Sequence, residues 1–516
     1  MQNKIKVLVS AILILASFSS IEAFEIAPNI PDPCTLTSSK ELVIYQKVLT
    51  GYLDARIYGT RGTLSRQKPD VVVIVNGNGY ILSPKFDPYL NISTFLAEND
   101  FLVIRIQRTG GNVSGIPILD MLDEVYSQFS IDPSSKMALI GHSAGGSAVS
   151  NAAIENYNQQ RGYNIESVIH VAPNTINSID INGKHASSYF SLYGSRDKDM
   201  AGLTDETPTE GFAGYDNAGT ERSTTCSTPP CWSAKPRFEK YMAYVHGADH
   251  AEFLGTNTRI QGWPANAPPP APTYLSLEDQ FCIGKGYINA FLRYEMRNEK
   301  KYKDFLRGKS TPMSFRKIKT SQDDGLGEPA GSSLRVYNQF SPPYKQSIEN
   351  FEDSVYSVAS KSRYVRHELI SKASLRAQPF LKRHQTQAML IGWQAEQRFQ
   401  FLALDIPSKY KNASRFTDLS IRIGQLKGAY RPHGNNNKDK RMWIALIDSK
   451  NRVSWERLNR YGKIPRSDRH SAMNTITIPL SEFSSIDLSN VKQVRFAFYP
   501  NTSGTILLDN VDWLRD

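Results

Sequence analysis

Residues 137–146, Met-Ala-Leu-Ile-Gly-His-Ser-Ala-Gly-Gly, constrain this chain more than any other stretch. An apolar run of strand length ends abruptly at a serine flanked by Gly141 and Gly145. Such a run fits a buried strand that turns at once into a helix. The missing Cβ atoms relieve the clashes of so tight a turn and let Ser143 hold a strained backbone with its hydroxyl presented. Gly-x-Ser-x-Gly also arises in ordinary Gly- and Ser-rich loops, so the surroundings matter. Ile118, Leu122, Val125 and Phe129 recur at three- and four-residue spacing before the strand, and the small residues 147–153 follow it as a closely packed helix would. Ser143 is therefore a candidate nucleophile.

From about residue 40 the chain alternates strand-like with helical or loop segments. Val71–Val75, Phe101–Ile106 and Ser167–Val171 are apolar runs without alternation, which suits strands covered on both faces of a parallel sheet. The first of them ends in Asn76-Gly77-Asn78-Gly79-Tyr80. A Gly-rich turn there can be a simple flexible connection, or it can aim backbone N–H groups outward to hold an oxyanion. In the second case Asn78 is the candidate donor, beside the N–H of Ala144 just after the serine.

Two further stretches supply an acid and a base. Tyr189–Met200 is an apolar strand ending at Gly194 that delivers Asp197 to the carboxyl edge of the sheet, where α/β sites gather. Asp199 competes with it. Tyr244–Phe253 offers His246, which ends an apolar pair and reads as structural, and His250, which sits in a Gly-Ala-Asp-His loop able to reach across the sheet edge. His250 is the candidate general base.

The order Ser143, Asp197, His250 resembles that of the α/β-hydrolases. Residues 40–300 look like that superfamily through the Gly-His-Ser-Ala-Gly-Gly turn, the Gly-x-x-Asp and Gly-x-x-His loops, and a last helix containing Tyr287–Leu292. The spacing is closest to the lipase, polyester-hydrolase and chlorophyllase-like branch. The resemblance implies a doubly wound, mostly parallel sheet and acyl transfer through Ser143, with His250 taking the serine proton and Asp197 orienting the imidazole. It requires no metal or organic cofactor in the catalytic site. Asn76-Gly77 departs from the usual His-Gly or Pro-Gly, and insertions at 201–236 and at 256–273, the latter carrying Trp263, border the acid and base loops.

Residues 1–23 have Lys4 and Lys6, an apolar core from Val7 to Phe18 and a small-residue end at Ala23, the pattern of a secretory signal peptide. An N-terminal membrane anchor is the alternative, although the apolar core is short for a span and no later stretch approaches the required length. The mature chain is expected to be exported. The formal charge of +11 comes from scattered Lys and Arg without a nucleic-acid signature, which reads as solubility or attraction to acidic surfaces. The cysteines are Cys34, Cys226, Cys231 and Cys282. An even number in an exported chain argues for two disulfides, a local Cys226–Cys231 staple and a Cys34–Cys282 tie to the last helix. A zinc site lacks the Cys/His spacing it would need.

A catalytic domain is thus expected over 24–308. Residues 309–344 collect Ser, Gly, Pro and charge and read as a linker. Beyond it, over 345–516, the period is that of strands alone: Phe399–Ile406, Leu419–Ile423, Trp443–Ile447, Thr475–Leu480, Val494–Phe498 and Thr505–Val511 suggest a β-sandwich. The stretches 350–353, 404–407 and 508–511 resemble the galactose-binding-like jelly rolls of carbohydrate-binding modules. That resemblance implies a glycan partner and a structural calcium, with Glu352 and Asp509 as candidate ligands. A sandwich that only stabilises or dimerises the enzyme is the alternative. The expected activity is hydrolysis of carboxylic esters on a polysaccharide, lipid or polyester. A secreted peptidase of the same fold, or a non-catalytic glycan- or surface-binding protein on that scaffold, are the other readings.

Overall fold

The computed structural model describes residues 25–26, 30–35, 40, 42–48, 54–77, 87–108, 114–174, 179, 181, 184–197, 214–216, 218, 239–250, 252–255, 275–321, 330–342, 345–349, 358–362, 365–370, 388–425, 440–465 and 472–515. The signal-peptide segment, Asn78, Asp199, Cys226, Cys231, Trp263 and Glu352 lie outside the described residues.

Nine strands form the first sheet: β1 (Leu42–Val48), β2 (Asp54–Thr60), β3 (Val71–Val75), β4 (Leu102–Gln107), β5 (Lys136–His142), β6 (Asn164–Val171), β7 (Ser188–Gly194), β8 (Lys240–Val245) and β9 (Val336–Ser341). Their spatial order is β9-β8-β7-β6-β5-β3-β4-β2-β1. Neighbours from β8 through to β4 run parallel, whereas β9 and the β2–β1 hairpin are antiparallel. The five residues of β3, Val-Val-Val-Ile-Val, are all buried because both faces of the sheet are covered.

Helices α1 (Leu90–Glu98) and α4 (Leu277–Arg297) cover one face. They bury Ile92, Phe95, Leu96, Ile283, Ile288 and Phe291 against Val72, Ile74, Val103 and Ile140. Helices α2 (Ile116–Phe129) and α3 (Ala144–Asn158) cover the other. There the leucines and valine of α2 and the alanines of α3 meet Val73, Val75, Ile104 and Leu139. The small side chains of α3 let it lie close to the strands, as the sequence implies. Ser276 caps α4 by accepting the Asp279 N–H at 3.0 Å. A disulfide joins Cys282 of α4 to Cys34, with Cα atoms 4.9 Å apart.

The C-terminal residues form two packed antiparallel sheets. Their strands are β10 (Lys345–Glu349), β11 (Val358–Lys361), β12 (Val365–Ile370), β13 (Ala388–Trp393), β14 (Gln400–Asp405), β15 (Asp418–Gly424), β16 (Met442–Asp448), β17 (Val453–Arg457), β18 (Met473–Pro479), β19 (Val491–Phe498) and β20 (Gly504–Leu514). One sheet is ordered β12-β13-β20-β15-β18, with β10 also on β20; the other is β11-β14-β19-β16-β17. Between them Trp393 stacks on Phe498 with centroids 4.2 Å apart, and Trp513, Leu446 and Ile476 fill the same core.

The two parts meet through residues that composition assigns to a linker. Within 309–344, Val336–Ser341 are β9, an edge strand of the first sheet paired with β8. Tyr337 and Phe340 stack on Tyr244 and Tyr241, which supplies the apolar anchorage that six residues in a polar stretch conceal. The outward N–H groups of Asn338 and Phe340 are taken by Asn474 Oδ1 at 2.9 Å and Thr475 Oγ1 at 3.3 Å, both from β18. An edge that would otherwise be open is so covered by the sandwich.

Beside it Arg422 of β15 is almost wholly buried. It donates to Asp509 Oδ2 at 2.5 Å, Asp216 Oδ1 at 2.6 Å and Gln339 Oε1 at 2.8 Å. Asp509, a candidate calcium ligand, has its carboxylate paired with this buried guanidinium, and Glu352, the other candidate, lies outside the described residues. Lys240 lies next to this cluster and donates to the carbonyls of Tyr215 at 2.7 Å and Ala218 at 3.0 Å. Burial pulls its ammonium down to about 7. No helix among the described residues is long and apolar enough to cross a membrane.

Candidate active site

Ser143 stands between the end of β5 and the start of α3 with φ 52° and ψ −126°. A non-glycine residue rarely adopts that backbone, and here the surroundings impose it. A Cβ on Gly141 would lie 2.4 Å from the Gly145 carbonyl, and one on Gly145 would lie 2.4 Å from the carbonyl of Val75. Both glycines are thus required by close backbone approach. The serine N–H is donated to the Val171 carbonyl at 3.1 Å, which fixes the turn to β6.

The turn after β3 passes directly over the serine, since a Cβ on Gly77 would stand 2.8 Å from the Ser143 Cβ. Asn76 shapes that turn. Its Oδ1 accepts the Arg108 N–H at 2.5 Å and its Nδ2 donates to the Gly77 carbonyl at 2.9 Å. The Gly77 N–H is itself donated to Tyr89 Oη at 3.3 Å, so Gly77 is committed inward. Asn78, the candidate oxyanion donor, follows it outside the described residues. Ala144, the other candidate, is the first residue of α3, where backbone N–H groups lack intrahelical acceptors.

Asp197 and His250 are brought together. His250 Nδ1 lies 2.9 Å from Asp197 Oδ2, with the carboxylate side chain fully buried and the imidazole nearly so. Because a carboxylate only accepts, the imidazole proton sits on Nδ1, which leaves the Nε2 lone pair for a proton from elsewhere. The acid and base loops are stitched together beneath this pair. Arg196 N–H reaches the Ala248 carbonyl at 2.8 Å, Gly247 N–H reaches Ser195 Oγ at 2.8 Å, and a Cβ on Gly194 would strike the Ala248 carbonyl at 2.4 Å. His246, read as structural, is buried and donates its N–H to the Arg335 carbonyl.

Three supporting residues had no sequence signal. Gln280 of α4 grips Asp249, the neighbour of His250, by donating to its Oδ1 at 2.9 Å and its carbonyl at 3.0 Å while accepting its N–H at 3.1 Å. Tyr89, at the start of α1, and His142, beside the serine, are joined by a 2.8 Å hydrogen bond. His142 Nε2 in turn lies 2.9 Å from the carbonyl of His250. Desolvation, with the neighbouring His250 adding to it, holds His142 down to about 3, so the ring is neutral at neutral pH. Ser143 is therefore linked to the base loop through its own chain neighbour. Only the pattern of long-range contacts could have revealed these partners, which come from distant parts of the chain.

No family model matches the chain, and no curated protein matches it. Among solved structures it is similar to Est1E from Butyrivibrio proteoclasticus, at 14% identity and TM-score 0.27, over 40% of this chain and 90% of that one. It is also similar to the esterase Est22, at 13% identity and TM-score 0.24, over 30% of this chain and 64% of that one. A third is the family 11 carbohydrate-binding module of the cellulosomal cellulase Lic26A-Cel5E of Clostridium thermocellum, at 15% identity and TM-score 0.24, over 33% of this chain and 95% of that one. The chain's own residues carry the functional reading.

Proposed function

We propose that this chain is a serine hydrolase of the α/β-hydrolase type that cleaves carboxylic esters through an acyl-enzyme. The observation that carries the reading is the buried His250–Asp197 pair at the edge of a sheet whose next-but-one inner strand ends in the strained Ser143. In this reading His250 Nε2 takes the Ser143 proton as Oγ attacks the ester carbonyl. Asp197 stabilises the imidazolium that results. The N–H groups of Ala144 and Asn78 hold the oxyanion, and the imidazolium then protonates the leaving alcohol. Water, deprotonated by the same imidazole, releases the acid and restores the serine.

A series of soluble esters of graded acyl length, given to the purified protein, tests the reading. Turnover of at least one member supports it, and turnover of a matched peptide amide with no ester cleaved would move the assignment to a peptidase.

A glycan-binding role for the sandwich is favoured by the outer face of the sheet away from the catalytic sheet. Cross-strand register places Phe401, Ala497, Trp443 and Arg457 in one row and Arg495, Ala445 and Trp455 in the next. Trp455 is 39% exposed and the nearby Phe399 is 48% exposed, which is unusual for rings this large. Tyr499 lies 6.3 Å from Trp443 and 5.8 Å from Phe399 between centroids. Rings bordered by arginines offer apolar faces for the C–H side of sugar rings and donors for their hydroxyls. With export through the 1–23 segment, the chain would act on an acylated polymer outside the cell.

A further inference from the structure

We propose that Tyr89 and His142 are positioning residues that lock the turn after β3 to the base loop through one directional chain of hydrogen bonds; the proposal rests on the serine-hydrolase reading above. The direction of every bond follows from what each atom can do. The His250 carbonyl only accepts, so the proton of His142 must lie on Nε2, which is 2.9 Å away. A neutral ring then has a bare Nδ1. That atom can only accept, so Tyr89 Oη, at 2.8 Å, must give it the phenolic proton. With its proton spent, Tyr89 Oη is left as an acceptor, and it is this oxygen that the Gly77 N–H meets at 3.3 Å. The chain runs Gly77 N–H to Tyr89 O–H to His142 Nδ1, then His142 Nε2–H to the His250 carbonyl.

Each end of this chain touches a moving part of the proposed reaction. Gly77 lies against Ser143 and precedes the expected oxyanion donor, and its N–H is drawn inward to Tyr89. At the other end, holding the backbone carbonyl of His250 sets the height of the imidazole that Asp197 grips from Nδ1. The ring of His142 also packs on that of His250, with centroids 4.9 Å apart. Tyr89 is itself anchored: its N–H reaches Asp87 Oδ1 at 2.9 Å, and that carboxylate is held by Tyr58 Oη at 2.6 Å and Arg56 at 3.3 Å. A misplacement of about 1 Å between catalytic groups can cost on the order of 100-fold in rate, so a chain that fixes both loops acts on turnover more than on binding.

Tyr89→Phe deletes one oxygen and keeps the ring. We expect kcat on a soluble aryl ester to fall roughly ten- to 100-fold, with KM within about twofold and the melting temperature nearly unchanged. His142→Gln offers an N–H for the His250 carbonyl and an oxygen for Tyr89, and should retain far more turnover than His142→Phe. Wild-type kcat in Tyr89→Phe would overturn the proposal, as would equal losses in the two His142 variants that follow their losses of melting temperature. Nitrogen NMR of labelled wild-type protein reads the tautomer without any turnover: the proposal requires a neutral Nε2–H ring at position 142 from pH 5 to 8, and an Nδ1–H or charged ring would refute it. Absence of esterase activity in the wild type would instead count against the hydrolase reading, leaving the tautomer measurement to decide the chain.

Discussion

His250 Nδ1 and Asp197 Oδ2 are 2.9 Å apart, in a position almost closed to water. The pair fixes which nitrogen of the histidine carries its proton, so removing the charge while keeping the shape is a clean probe. Asp197→Asn should cost on the order of 10⁴ in turnover, as loss of an orienting carboxylate does in serine hydrolases, with the melting temperature close to wild type. Asp199→Asn should leave turnover within a few-fold of wild type. The opposite outcome in the same ester assay would assign the acid to Asp199.

Two buried histidines predict the acid side of the stability profile. Desolvation takes both His142 and His170 from the ordinary 6.5 down to about 3. The folded chain therefore refuses protons that the unfolded chain accepts between about pH 6.5 and 3. Their contribution to stability is complete above 6.5 and is lost as the pH falls through that window. His170 is held by Ser150 Oγ and Tyr189 Oη and has no part in the proposed proton transfers. His170→Gln should reduce the slope of unfolding free energy against pH by about 1.4 kcal/mol per unit between pH 4 and 6. Denaturant titrations across that range measure it, and an unchanged slope would contradict the burial argument.

Arg422 predicts how tightly the sandwich is joined to the nine-stranded sheet. Replacing it with Met leaves Asp216 and Asp509 as buried carboxylates without their cation, which should cost about 3–5 kcal/mol. The exposed Arg460, paired with Glu456 and Glu482 at the surface, should tolerate Met with little change. For the same reason a fragment ending near residue 310, which lacks β9, is expected to be less stable than the full chain, and the full chain should melt in one calorimetric transition. Two well-separated transitions, with Arg422→Met affecting neither by more than about 1 kcal/mol, would show that the contact is weak.

The exposed rings of the outer sandwich face give a binding prediction. Trp455→Ala, alone and with Phe399→Ala, should weaken retention of the full-length protein by an insoluble polysaccharide while turnover of a soluble ester stays unchanged. Co-sedimentation at graded polysaccharide concentration measures this. Retention equal to wild type in the double variant would remove the face from consideration.

How much of this was legible in the sequence depended on how local each signal is. The serine turn was legible because its glycines are demanded by backbone contacts within a few residues, as the 2.4 Å approach at Gly141 shows. The sandwich strands with strong alternation were legible too: Thr475–Leu480 was expected and Met473–Pro479 is found. By contrast β17, on a sheet edge, buries Ser454 and exposes Trp455, the reverse of the alternation that marks a core strand. β9 disappeared in the average composition of the polar stretch around it. The Tyr89–His142–His250 chain was hidden for another reason, since its bonds span 53 and 108 residues and one of its acceptors is a backbone carbonyl that no motif encodes.

The central claim is that Ser143 is an activated nucleophile, and a fluorophosphonate reports this directly because it forms a stable bond only with an activated serine. Incubation of the purified chain with the probe, digestion and mass spectrometry should place one adduct on the peptide containing Ser143, with esterase activity lost in step with labelling and no adduct in Ser143→Ala. An unlabelled Ser143 in folded protein, or ester turnover that survives in Ser143→Ala, would contradict the account.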